Sequence, residues 1–298
     1  MRVGVGLPAS VPGVEGPQLP AWAHRAEQLG FSTLAVLDRL VYGNYESLVT
    51  LGAAAAVTQR IRLAATILIA PYRANAALLA KQIATVDRLS GGRLTVGVSA
   101  GGRPDDFTAS GVPYDGRGAV LDDMLATWEK IWAGELRGFA EPIGPRPAGR
   151  PPVWVGGHTP VAMRRAARHG TGWIAGGSSA SGYRELAERM RHTWTGQGRP
   201  GRPYLVALTY FALGPGAAGA SRDYLRRYYS FLGPAAERIA GKALTEPAAV
   251  RRAVTEYAAS GCDELLFFPC RAEIEQLDLL YDALPGVSFN GTLPDGDR

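Results

Sequence analysis

The sequence is poor in the residues that build metal centres and covalent frameworks. It has two cysteines and four histidines among 298 residues. Cys262 and Cys270 offer neither a disulfide framework nor metal-site spacing. His24, His158, His169 and His192 stand alone, without HxxxH or CxxC patterns beside them, so no metal is expected. Lysine is scarce as well, since only Lys81, Lys130 and Lys242 contribute to the 32 basic residues. The arginines are scattered and the formal charge is a modest +5, which argues against nucleic acid as a partner. No apolar run approaches the roughly 18 residues of a membrane span, so no membrane partner is expected. Residues 1–7 run straight into a strand-like segment, so no leader is expected and the cytoplasm is the expected compartment. GxSxG, GxxxxGK[ST] and a strand-borne GxGxxG are all missing. So is a pair of strand-end acids suited to glycoside chemistry. An enzyme without a protein nucleophile or a metal can let a cofactor carry the difficult step.

What is present is a regular alternation. A hydrophobic fraction of 46% with charges of mixed sign excludes general disorder. Near-continuous apolar runs, the pattern of parallel strands covered on both faces, fall at residues 3–7, 33–37, 61–70, 93–99, 153–155, 172–175, 204–213 and 264–268. Helix-length segments lie between them at 18–29, 46–58, 75–89, 117–133, 159–169, 181–195, 220–260 and 272–283. Eight strand–helix pairs in this length predict an α/β fold, a (β/α)8 TIM barrel forming one domain over 1–298. The Pro/Gly-rich stretch 138–152 reads as an interdomain linker or as a long surface insertion before strand 5; the undisturbed rhythm after it favours the insertion. Gly30 and Gly170 are placed as helix C-caps, and Pro160 in a first turn. Leu78, Leu79, Gln82, Ile83 and Val86 share one helical face.

In such a barrel ligands bind at the carboxyl ends of the strands. Small residues dominate the fourth, fifth and sixth ends, at Ser99–Ala100–Gly101, Gly156–Gly157 and Gly176–Gly177, which lets a flat ligand lie against the backbone. The run Gly156–Gly157–His158–Thr159 before Pro160 reads as a phosphate cradle at a helix start, or as a plain N-cap with a tight turn. Arg117, at another helix start, is either a bidentate phosphate partner or a solvated arginine. Asp38 and Arg39 end the second strand and are candidates for catalysis or for simple mutual pairing. His158 is a candidate acid–base or phosphate donor, and His169 compensates a helix dipole. Tyr42, Tyr72, Phe211 and Phe268 are candidate walls for an apolar mouth.

Residues 79–101, LAKQIATVDRLSGGRLTVGVSAG, closely resemble the signature of the bacterial-luciferase-like flavin-dependent oxidoreductases. The match continues through Asp105–Asp106–Phe107, Gly111–Val112–Pro113–Tyr114, Arg117–Gly118, 152–157 and 170–173, and covers about 1–285. The resemblance implies a (β/α)8 barrel, often dimeric, using FMN in its reduced form or an 8-hydroxy-5-deazaflavin coenzyme. Carried over by position, Ser99, Ala100 and Gly101 line the ring face, Gly157, His158 and Thr159 hold phosphate, and Arg117 contacts it. Asp38, Arg39 and Ser99 are then the candidate catalytic residues. Two departures stand out. Arg39 occupies the place where many members carry a histidine, and Thr171 replaces the aspartate of the usual DGW segment. A guanidinium cannot serve as the base, although it can stabilise an anionic flavin.

Two functional classes follow. The leading one is an oxidoreductase on a small organic molecule. It is a monooxygenase if FMN activates oxygen inside a water-excluding mouth, or a hydride-transfer enzyme if the coenzyme is a deazaflavin. A separate flavin or deazaflavin reductase is the implied partner. The alternative is a flavin-binding barrel without catalysis. A flavin-free lyase or isomerase is a third reading, excluded by specific cofactor binding.

Overall fold

The structure, a computed structural model, describes residues 1–289. Strands β1 (Arg2–Gly6), β2 (Thr33–Val36), β3 (Arg62–Ile69), β4 (Leu94–Ser99), β5 (Val153–Gly156), β6 (Gly172–Gly176), β7 (Tyr204–Phe211) and β8 (Glu264–Pro269) pair in parallel in chain order. β8 then pairs with β1 to close a TIM barrel. Helices α1 (Gln18–Gln28), α2 (Ser47–Val57), α3 (Ala76–Leu89), α4 (Pro104–Ser110), α5 (Arg117–Ala133), α6 (Pro160–His169), α7 (Ala180–Gly196), α8 (Ala217–Tyr228), α9 (Ala235–Ala240), α10 (Pro247–Ala259) and α11 (Glu275–Asp282) connect them.

The strands are apolar on both faces because each face meets its own core. Val3, Val5, Leu34, Val36, Leu63, Val96 and Val98 pack outward beneath the helices. Ala35, Ala64, Trp154, Ile174, Val206, Leu266 and Phe268 fill the barrel interior. Against α3 the buried stripe is Leu79, Ala80, Ile83, Ala84 and Val86, while Leu78 and Gln82 face solvent. The small alanines let that helix sit close to the sheet, which rotates the stripe away from the expected face.

The lower end of the barrel is closed by a polar plug. Glu264, fully buried, accepts hydrogen bonds from Ser32 Oγ (2.6 Å), Thr33 Oγ1 (2.6 Å), Tyr204 Oη (3.0 Å) and Arg62 Nη2 (2.5 Å). Nearby, Arg93 of the SGGR block staples α2 to the start of β3. It donates to the carbonyls of Ala55, Thr58 and Ile61, to Thr58 Oγ1, and to Ser90 O. Gly91 and Gly92, at φ +69° and +84°, make the turn that delivers it. Asp87 accepts from the Ala148 amide at 2.7 Å and so tethers the long stretch between α5 and β5.

Besides the α3 face, three expectations need correction. The single helical span at 220–260 is divided into α8, a 3-10 turn (Ser230–Leu232), α9 and α10. Gly233 at φ +55°, the Pro234 that follows it, and Pro247 at the first position of α10 break it. α4 lies outside the expected segments, although Pro104 at its start and Gly111 at φ +68° after its end mark it. Gly170 caps α6 as expected, in an extended conformation. Glycine suits that position because a side chain would press on the carbonyls of Ala166, Gly172 and Val153. Phe211 packs on Phe267 in the outer core and so forms no wall of the mouth.

Burial alone would raise the Glu264 carboxyl pKa, but Arg62 and the Ser32 and Thr33 hydroxyls outweigh it and hold the value below the ordinary carboxylate range. Its contribution to stability is therefore present above that range and is lost as pH falls through the lowered folded-state value. Glu264→Gln should cost about 3 kcal/mol in urea unfolding at pH 7, by stranding Arg62 and misfacing two hydroxyls. The variant should also unfold with a shallower acid dependence than the parent.

Candidate active site

The carboxyl ends of the strands bring most of the expected residues to one rim, with different duties. Asp38 is buried just beyond β2, and its two oxygens accept from Ser47 Oγ (2.6 Å), the Ile69 amide (2.9 Å), Tyr72 Oη (2.7 Å) and Arg73 Nη2 (2.8 Å). Arg73 also reaches Glu46, which caps α2. Asp38 does not pair with Arg39. Burial and the neighbouring Asp38 charge push the Tyr72 phenol far above its usual range, so it stays a donor.

Arg39 turns the other way. Nη1 donates to the Tyr228 carbonyl at 2.9 Å and Nη2 to Asp105 at 3.3 Å. The guanidinium sits among the rings of Tyr42 (4.9 Å), Tyr228 (5.5 Å) and Phe231 (5.5 Å). Arg103 stacks on the far side of Phe231, binds Asp106 at 2.9 Å and donates to the Asp38 carbonyl. Asp106 caps the amides of Leu40 and Val41. Burial opposes its ionisation, but those amides and Arg103 prevail and lower its pKa. Around this group the phenols of Tyr210, Tyr224, Tyr228 and Tyr229 are buried and stay protonated, with Tyr210 bonded to Tyr229 and Tyr224 to Ser10. Sequence reading missed this aromatic lid; Tyr224 and Tyr228, one helical turn apart in α8, were its visible signal.

The fourth and fifth strand ends form the opposite part of the rim. Ser99 Oγ accepts from the Gly101 amide at 3.1 Å. Gly101 lies at φ +83°, where a side chain would strike Ile69, and Ala100 beside it is half-buried. Arg117 fastens this turn by donating to the Gly101 carbonyl (3.0 Å) and the Tyr114 carbonyl (3.1 Å), with its guanidinium 3.6 Å from the Tyr114 ring centre. A register shift in β3 between Ala65 and Leu68 turns Ile67 inward, over Gly156 and beside Ser99. Any side chain at Gly156 would collide with Ile67. Gly176 meets Leu208 less tightly, at 3.1 Å from an added Cβ.

Past β5 the chain makes the expected turn into α6. Gly157 has φ +128°, and a Cβ there would lie 2.7 Å from that of Ala162. Its carbonyl accepts from Trp173 Nε1 at 2.8 Å. Thr159 caps α6 by accepting from the Ala162 amide at 3.2 Å, so its own hydroxyl proton remains available. The amides of His158 and Thr159 have no protein acceptor among the described residues. The His158 ring rests near Trp173 (6.4 Å). Partial burial, with help from Arg189, lowers its pKa and leaves it neutral at pH 7. On the β1–β8 side of the mouth, away from this turn, opens a separate cleft of about 660 Å³, lined by Val11, Gln18, Tyr224, Arg227, Cys270 and Arg271 among others.

Comparison with known proteins bears on the family and the fold. The family profile described as luciferase-like monooxygenase matches residues 1–265. An uncharacterized protein of Mycobacterium tuberculosis is 36% identical over 172 residues, 54% of this chain and 60% of that protein. The FMNH(2)-dependent dimethylsulfone monooxygenase of Pseudomonas fluorescens is 29% identical over 57% of this chain and 50% of its own length. The F420-dependent glucose-6-phosphate dehydrogenase of Amycolatopsis mediterranei is 27% identical over 57% of this chain and 56% of its own. The matches thus span little more than half the length of these relatives. Among solved structures, an F420-dependent secondary alcohol dehydrogenase superposes with a TM-score of 0.80, covering 95% of this chain and 98% of that one, at 16% identity.

The environment of His158 sets an expectation for its titration. A proton NMR titration should place its midpoint below 6.5, and Arg189→Ala should move that midpoint upward. A midpoint at or above the ordinary imidazole value would refute this account of the ring's surroundings.

Proposed function

The chain belongs to the luciferase-like monooxygenase family, and on that premise we propose that it is a flavin- or deazaflavin-dependent oxidoreductase acting on a small organic molecule. The observation that carries this reading is the β5–α6 turn. There, two amides without protein acceptors and a spare threonine hydroxyl stand at a helix start whose glycine admits no side chain. Those donors suit the phosphate of FMN or of F420. The relatives use one or the other, FMNH(2) in the dimethylsulfone monooxygenase and F420 in the glucose-6-phosphate dehydrogenase.

In this reading Gly157, His158 and Thr159 hold the phosphate, and neutral His158 adds a donor without competing charge. Ser99, Ala100, Gly101, Gly156 and Gly176 leave a flat bed with Ile67 beneath it, and Arg117 keeps the Gly101 turn in shape. The cofactor supplies the redox chemistry once bound, accepting or delivering an electron pair at its ring. Ser99 uses its oxygen to accept from Gly101, so its proton is free to donate toward the bed. Arg39 is a permanent cation available to a developing anion. The buried phenols and rings around Tyr42, Tyr228 and Phe231 exclude water from the mouth. A separate reductase supplies reduced cofactor.

A second reading draws on one observation. All the hydrogen bonds at Asp38 serve architecture, which leaves no carboxylate base there. A barrel that binds flavin without turning over would share this feature.

Titration of the purified protein with FMN, reduced FMN and F420, followed by absorbance and fluorescence, tests the proposal. At least one should bind saturably. His158→Glu, at an exposed position, should weaken that cofactor about tenfold while the thermal unfolding profile stays that of the parent. Gly157→Asp should abolish binding through strain and charge. Absence of binding by every cofactor overturns the reading, whereas tight binding without turnover over a broad substrate panel favours the second.

A further inference from the structure

Arg39 departs from a pairing that four arginines of this protein make, and shares with Arg73 and Arg199 a buried Nε without a partner among the described residues. Arg165, Arg226 and Arg271 each present the Nε–Nη2 edge of the guanidinium to a single carboxylate, on Asp122, Glu237 and Glu273. Arg25 does the same toward Asp278. That edge matches the two oxygens of a carboxylate and gives the strongest arginine contact. In Arg39 the edge is nearly empty. Nη2 reaches Asp105 at 3.3 Å, while Nε is buried and has no partner among the described residues. The Tyr42 hydroxyl, on a ring against which the same guanidinium is stacked, is also buried and unpartnered.

The charge pattern around Arg39 sharpens the point. Asp38 is matched by Arg73 at 2.8 Å, and Asp106 by Arg103 at 2.9 Å. Both of those carboxylates are buried and hold further donors. Arg39 has a side chain only 5% exposed, yet among the described residues its sole carboxylate is that of Asp105, 44% exposed and 3.3 Å away. A buried cation left this weakly compensated is costly unless something else completes it. Asp105 opens α4 immediately after the Ser99–Gly102 rim, so its carboxylate stands between Arg39 and solvent beside the bed described above.

We propose that the Nε–Nη2 edge of Arg39, with the Tyr42 hydroxyl, is the anchor for a carboxylate on the organic substrate, and that Asp105 is a placeholder which this carboxylate displaces. The substrate is then an apolar, preferably aromatic, carboxylic acid. Its acid group meets Arg39 while its body lies along the exposed edge of the Phe231 ring. The inference rests on the redox reading only in placing the reacting ring at the same rim.

Benzoate and its neutral isostere benzamide are the probes, titrated by calorimetry at pH 7 with and without saturating FMN. Benzoate should bind at least tenfold more tightly than benzamide in one of the two states. Arg39→Gln should erase the preference, and Arg39→Lys should lose most of it, because an ammonium keeps the charge without the two-pronged edge. Asp105→Asn should strengthen benzoate binding about threefold. Arg88→Ala, exposed in the last turn of α3 at the opposite end of the barrel, should change nothing. Equal binding of the two probes in both states overturns the proposal, as does a folded Arg39→Gln protein that keeps the preference or loss of the preference in Arg88→Ala. If Arg39→Gln does not fold, Asp105→Asn decides, and unchanged or weaker benzoate binding refutes the displacement. Cofactor titration is independent of these results. Failure of benzoate with intact cofactor binding removes only this inference, while a benzoate preference without cofactor binding removes only the redox reading.

Discussion

Asp38 sets the shape of the upper rim because donors from three segments meet on its two oxygens. Ser47 brings the start of α2, Ile69 the end of β3, and Tyr72 and Arg73 the turn that follows. A carboxylate this deeply buried is tolerable only while every donor is in place, and losing one partner leaves an uncompensated charge. The Asp38 backbone carbonyl extends the same arrangement to Arg103, and through Arg103 to Asp106 and the amides of Leu40 and Val41. Arg39 is consequently projected away from Asp38 and into the rings of the lid. The residue that resembled half of a catalytic pair is the fixed frame against which its neighbour is aimed.

The two ends of the barrel divide their labour. The SGGR block, which carries much of the family resemblance, belongs to architecture: Arg93 satisfies carbonyls at the end of α2, and its glycines form the turn before β4. Asp87, from the same signature, tethers Ala148. The proposed cofactor bed lies at the opposite end, where Gly101, Gly156 and Gly157 leave no room for a side chain. A chain can therefore announce its family through bonds that never approach a ligand.

Much of this was legible in the residues. The alternation of apolar runs with amphipathic segments gave the barrel, because parallel strands covered on both faces have no polar side to show. The β5–α6 turn was legible because Gly157, Thr159 and Pro160 each have a local reason for their place. Three things were not. The rotation of the α3 stripe depends on the closeness that Ala80 and Ala84 allow, which only the assembled layers determine. The partners of Asp38 lie from Ser47 to Arg73 and those of Arg39 at Asp105 and Tyr228, so adjacency suggested a mutual pair that does not form. The lid fell inside what read as one long helix, since Gly233 and Pro234 interrupt a segment otherwise rich in helix formers.

The polar plug at Glu264 also makes distant parts of the chain answer to one another. Thr33 stands on β2, Arg62 on β3, Tyr204 on β7 and the carboxylate itself on β8, so four strands share one buried charge. None of them can peel away without stranding it, which makes their separation cooperative.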